Sequence, residues 1–161
     1  MQKLKINDFD TIIFDLDFTI WKGSKKDFWA KSLIFPIVKK RTRLYDSNND
    51  YIQLFYGTKT FLQKLHTANK NIGFSTRGGL LNIDYDQQPC ILALRQFDIL
   101  QYFNYKQDIL YKTDLKSKSM IAKGKTLFID DNIIDLNDVR NNCPLITVLD
   151  RTTITTWNEL L

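Results

Sequence analysis

The chain has one histidine, His66, and two cysteines, Cys90 and Cys143, in 161 residues. A Ser–His–Asp or Cys–His nucleophile system would have to be built around His66 alone. That residue sits in FLQKLHTANK, where Phe61, Leu62, Leu65 and Ala68 recur at helical spacing, so it reads as a partly exposed helix residue. The two cysteines have no close spacing, which argues against a disulfide scaffold or a zinc site and for an intracellular, reducing, cytoplasmic setting. The stretch CILALR from Cys90 is one residue short of a cysteine–arginine phosphate loop and reads instead as a buried helix face. Long apolar runs are missing too. The densest, LIFPIV from Leu33, is too short to span a bilayer and contains Pro36, so no membrane partner is expected. The opening MQKLKINDFD is polar and charged, unlike a signal peptide. Without an internal repeat, low-complexity tract or linker, residues 1–161 read as one domain.

Acids are scarce in one segment. Between Lys22 and Arg43, eight basic residues stand against a single acid, Asp27. The run KKRTR from Lys39 fits a nuclear signal, a nucleic-acid patch or plain solvated surface, and the whole segment would overhang whatever precedes it and attract anions.

What is present is alternation. TIIFDL from Thr11 reads as a buried strand, TKTFLQKLHTANK from Thr58 as an amphipathic helix and NIGFST from Asn71 as the next strand. A helical stretch PCILALRQFDILQYF follows, with Pro89 at its first position, where a missing N–H costs nothing. DILY from Asp108 reads as a short strand, and SKSMIAKG as a short helix capped by Ser117 and ended by Gly124. KTLFIDD, NIIDLNDVRNN, PLITVL and TTITTWNELL then read as strand, helix, strand and a threonine-capped closing helix. Continuous apolar strands between helices predict a three-layer, Rossmann-like α/β fold: a parallel sheet with helices on both faces. Residues 22–56 break the alternation and are expected to be a loop-rich basic insertion.

In open α/β sheets, ligands bind beyond the carboxyl ends of the strands. The first strand ends in Asp15-Leu-Asp17, with the two acids on one side because side chains repeat every second residue. The second ends in Ser75, Thr76 and Arg77; the lysine-rich KTDLKSK holds Lys112, Lys116 and Lys118; the fourth ends in Asp130 and Asp131. Two unit charges about 4 Å apart repel by roughly 4 kcal/mol at an effective dielectric near 20. Several such pairs are untenable in a domain whose net stability is about 5–15 kcal/mol, unless a cation joins them. An all-oxygen donor set without His or Cys favours Mg²⁺. The hydroxyl, arginine and lysine then suit a phosphoryl group with several oxygens.

Asp15-Leu-Asp17-Phe-Thr19 resembles the D-x-D-x-T signature of haloacid dehalogenase superfamily phosphohydrolases. FDLDFTIW with Trp21, FDILQYF and FIDDN resemble the small, nearly capless, magnesium-dependent phosphatases of that superfamily, and the order of elements agrees over almost the whole chain. The resemblance implies a minimal cap, Asp15 as nucleophile and Asp17 as general acid and base. It implies Mg²⁺ held by Asp15, the Asp17 carbonyl and an acid of the Asp130–Asp131 pair, with Asp131 the direct ligand. Thr76 would bind phosphate, with Ser75 the alternative; Arg77 would contact substrate; Thr19 would be structural. Lys116, standing just before the SKSMIA helix, is chosen as the phosphate lysine, with Lys118 second. The expected activity is a Mg²⁺-dependent phosphomonoester hydrolase with an open site. It would act on phosphotyrosine-type groups, in a small molecule or a phosphoprotein, or on sugar phosphates. A nucleic-acid end phosphatase and a non-catalytic binding module are the competing readings.

Overall fold

The computed structural model describes residues 4–161, so the first three residues of the polar N-terminal stretch lie outside it. A parallel sheet runs through the centre in the order β7-β6-β1-β8-β9. Its strands are β1 (Thr11–Phe14), β6 (Asn71–Thr76), β7 (Gln107–Ile109), β8 (Thr126–Asp130) and β9 (Thr147–Asp150). Every residue of β1 is buried, as expected of a strand covered on both faces. Alternate side chains feed two cores. Ile12 and Phe14 join Phe61, Leu62, Ile91 and Leu94 on one side, under helices α1 (Thr58–Thr67) and α2 (Pro89–Gln96). Ile13 and Phe128 join Leu136 and Val139 of α3 (Ile133–Asn142) on the other. The expected three-layer arrangement is therefore the observed one.

Register decides where the site falls. Phe14 lies opposite Phe74 of β6 on one side and Ile129 of β8 on the other. The residues that follow, Asp15, Ser75–Thr76 and Asp130, thus leave the sheet at one level. The chain passes from β6 and β7 across β1 to β8, so its strand order reverses beside β1, where α/β sheets open a crevice.

Residues 22–56 hold short strands between long loops: β2 (Trp21–Gly23), β3 (Val38–Lys40), β4 (Arg43–Tyr45) and β5 (Tyr51–Leu54) form a small antiparallel sheet in the order β2-β5-β4-β3, which the sequence did not announce. Leu44, Ile52 and Leu54 are buried on the inner side and join the same core as α1 and α2. The strands are three or four residues long, too short to display alternation in sequence. β3 is exposed at every position, and its lysines keep that open edge from pairing with another strand.

Two helices end earlier than their apolar spacing predicts. α1 stops at Thr67 because Asn69 takes a left-handed conformation (φ 56°), and the Lys70 N–H turns back to the Leu65 carbonyl. α2 stops at Gln96 in the same way, with Asp98 at φ 58° and the Ile99 N–H on the Leu94 carbonyl. Ser117 caps only a 3₁₀ turn, Lys118–Ile121, and the closing segment is two 3₁₀ turns, the second boxed by Thr156 and Glu159. Cys90 and Cys143 are free thiols. Among the described residues no helix is long and apolar enough to cross a membrane.

Candidate active site

Beyond Phe14 the chain bends sharply. The Thr19 and Ile20 amides both donate to the Leu16 carbonyl, and Phe18 is forced to φ 60°, which a bulky side chain rarely adopts. Strain of this kind costs about 1–3 kcal/mol and persists only where its surroundings enforce it. The bend puts both acids to use. Thr19 Oγ1 donates to Asp15 Oδ2 at 3.1 Å, and Trp21 Nε1 donates to Asp17 Oδ1 at 2.8 Å. The Ala30 amide, from the basic segment, donates to the same Asp17 oxygen at 2.8 Å. Asp15 and Asp17 line one cleft of about 610 Å³, together with Thr76, Lys118, Asp130, Asp131 and Asp135.

Lys118 is the hub. It is 2% exposed, and its ammonium lies 2.7 Å from Asp130, 2.9 Å from Asp15 and 3.1 Å from Asp135. Lys116, the lysine preferred from sequence, does not reach this point: it is exposed and pairs with Asp108 at 3.1 Å. The 3₁₀ turn beginning at Lys118 aims that side chain inward and leaves Lys116 outside. Arg77 lines the cleft but is committed to the scaffold. Its guanidinium donates to Asp135 at 2.9 Å and to the carbonyls of Asp114 and Lys116 at 2.9 and 3.0 Å. Thr76 faces the cleft, its hydroxyl accepting the Gly78 amide at 3.2 Å. Ser75 points to the other face of β6, fully buried, with no hydrogen-bond partner for its hydroxyl. His66 is exposed on α1 and does not line the cleft.

Asp135 escaped the sequence reading. It lies in the first turn of α3, four residues after Asp131, a spacing that returns a helical side chain to the strand end. Its burial and its two cation partners make it the support for both Lys118 and Arg77.

Five carboxylates crowd around two cations, and burial and mutual repulsion shift pKa values among them. Burial first, then the neighbouring acids, push Asp15 up to about 6 against the pull of Lys118. Burial and Asp15 push Asp130 up to about 7, and burial and Asp130 push Asp131 up to about 6. Burial also raises Asp17, opposed by the hydrogen bonds from Trp21 and Ala30. Burial would strip Lys118 of its proton, but Asp15, Asp130 and Asp135 together outweigh it and hold the ammonium charged. Excess negative charge therefore remains. One oxygen each from Asp15, Asp130 and Asp131 lies within 4.8 Å of the others, an all-oxygen cradle that fits a hard divalent cation such as Mg²⁺. Both oxygens of Asp130 already accept, from Lys118 and from the Asn132 amide, so Asp131 is the less committed of the pair.

No family model and no curated protein matches the chain by sequence. Among solved structures the chain is similar to the N-terminal part of the protein BF1531 from Bacteroides fragilis, which contains a phosphatase domain complexed with Mg. The similarity covers 92% of this chain at a TM-score of 0.55 and 17% identity. The chain spans 38% of the length of that structure. The fold is thus shared with part of a chain that contains a magnesium-complexed phosphatase domain.

Proposed function

We propose that the protein is a Mg²⁺-dependent phosphomonoester hydrolase that works through a phosphoryl group carried on Asp15. The observation that supports this best is Lys118, a buried ammonium shared by Asp15, Asp130 and Asp135 at the floor of an open cleft. A purely structural role does not call for so many buried acids at one strand edge. Asp15, Asp131 and the Asp17 carbonyl would hold Mg²⁺, which when bound neutralises phosphoryl charge.

An Asp15 oxygen attacks phosphorus and the bond from phosphorus to the ester oxygen breaks. The departing oxygen takes a proton from Asp17, which burial inclines to hold one. Asp17, now ionised, takes a proton from water; that water's oxygen attacks phosphorus, and Asp15 leaves as carboxylate with inorganic phosphate released. Lys118 and the Thr76 hydroxyl bind phosphoryl oxygens, and Lys118 keeps Asp15 ionised for attack. Trp21 Nε1 and the Ala30 amide fix one oxygen of Asp17, which orients the other for proton transfer. The open cleft suits phosphotyrosine-type groups and small sugar phosphates.

The test is hydrolysis of 4-nitrophenyl phosphate with Mg²⁺ and with EDTA, by the wild type and by Asp15→Asn. Turnover that needs Mg²⁺ and falls by roughly 10³-fold or more in the variant is expected. Equal rates in wild type and variant would end this reading.

A further inference from the structure

The wall of the cleft beside Asp17 carries chemistry that phosphoryl transfer does not use. Trp29 lines the cleft, and the next residue, Ala30, donates its amide to Asp17. An acid that protonates a leaving group must lie against that group, and Trp29 lines the same cleft as Asp17, so Trp29 belongs to the wall around the leaving group. The Lys31 ammonium sits 4.4 Å from the centre of the Trp29 ring, and the Lys112 ammonium, from the loop after β7, sits 5.9 Å from it. The two lysines are close enough to repel, and Lys31 is also within the field of Asp17. Among the described residues neither makes an ion pair, and Asp27, the acid on this rim, bonds to neither. Two like charges on one aromatic ring, neither of them in an ion pair, form a place for an anion. Elsewhere on the cleft wall stand Ile133 and Ile134, 56% and 74% exposed, which offer apolar surface rather than hydrogen bonds.

Resting on the phosphatase reading, we infer that Trp29, Lys31 and Lys112 form a leaving-group subsite for aromatic phosphomonoesters that carry a second negative charge. The ring of such a substrate lies along Trp29, and its second anion meets the two ammoniums. The phosphoryl group stays with Lys118 and Thr76. The subsite sets specificity and takes no part in bond making.

The test uses a matched pair of non-hydrolysable probes, 4-carboxybenzylphosphonate and 4-carbamoylbenzylphosphonate, titrated calorimetrically into the full chain with Mg²⁺. They have nearly the same shape and differ in one charge. The carboxylate probe is expected to bind about tenfold more tightly, the gain from two partly exposed ion contacts. That preference shrinks at high salt. It falls several-fold in Lys112→Met, a substitution at an exposed position, and to near parity in Lys31→Met/Lys112→Met. Equal binding of the two probes by the wild type, or a preference retained by the double variant, would overturn the subsite. Hydrolysis of 4-carboxyphenyl phosphate is followed in parallel. Preference without turnover sinks the phosphatase reading and leaves the anion subsite standing, whereas turnover without preference does the reverse.

Discussion

Replacing Lys118 with methionine keeps most of the volume of the side chain and removes the ammonium. Three contacts of 2.7–3.1 Å disappear, and Asp15, Asp130 and Asp135 are left facing one another in a buried space. Removing one partner of a buried ionic network costs about 3–5 kcal/mol. At this chain length, with roughly 2–4 °C per kcal/mol, the melting temperature should fall by roughly 6–20 °C. The cost depends on pH. In the unfolded chain these carboxyls titrate near 3.8, whereas in the fold Asp15 and Asp131 sit at about 6 and Asp130 at about 7. Between those limits the folded state binds more protons than the unfolded state. Stability of the metal-free protein therefore falls as pH rises from about 4 to 7. Without Lys118 the carboxyls hold protons to still higher pH, so the fall is steeper and the penalty is largest at pH 8. Urea denaturation followed by far-UV circular dichroism, in EDTA at pH 5 and pH 8, measures both quantities. A variant within about 1 kcal/mol of wild type at pH 8, or with equal losses at the two pH values, would refute the hub role of Lys118.

Two further substitutions separate neighbouring roles. Trp21→Phe removes the indole bond that favours the ionised form of Asp17, so the alkaline limb of the kcat/KM profile should move to higher pH; a limb that stays or moves down would contradict the assignment of Asp17 as the acid. Lys116→Ala removes an exposed pair with Asp108, and should change stability by less than about 1 kcal/mol and kcat/KM by no more than about twofold. A large loss of activity in Lys116→Ala would return the phosphate-binding role to that residue.

The central sheet was legible because its strands, such as TIIF and TLFID, are buried on both faces and read as unbroken apolar runs. The acids at their ends followed from the same reading, since sheet geometry brings the ends of neighbouring strands to one edge. The small sheet was not legible. β3 has no buried residue, and β2 and β4 are three residues each, so no periodicity exists to detect. Helix ends were overrun for another reason: Ile99, Leu100 and Phe103 continue an apolar pattern past Asp98, although a single left-handed residue has already turned the chain. Lys118 rather than Lys116 meets the acids because it opens a 3₁₀ turn that Lys116 precedes, and a difference of two positions in one lysine-rich loop leaves no mark in the sequence. Asp135 was hidden inside an ordinary amphipathic helix. Its partners, Arg77 and Lys118, come from 58 and 17 residues away along the chain, and pairing at that distance leaves no local trace.

The two bonds to Asp17 have a consequence for how the chemistry is divided between the parts of the fold. Asp15 and Lys118 depend on the parallel sheet and the turn before β8, but both donors to Asp17 come from the segment that builds the antiparallel appendage, Trp21 at its first strand and Ala30 just beyond. In the proposed reaction, nucleophilic attack belongs to one body and leaving-group protonation to the other. A shift of the appendage would leave attack intact while withdrawing the proton. Esters of acidic phenols, which depart without help, would then still be cleaved, and esters of alkyl alcohols would not. In that reaction the small sheet would act as a chemical filter on the leaving group, graded by basicity, in addition to whatever shape it imposes.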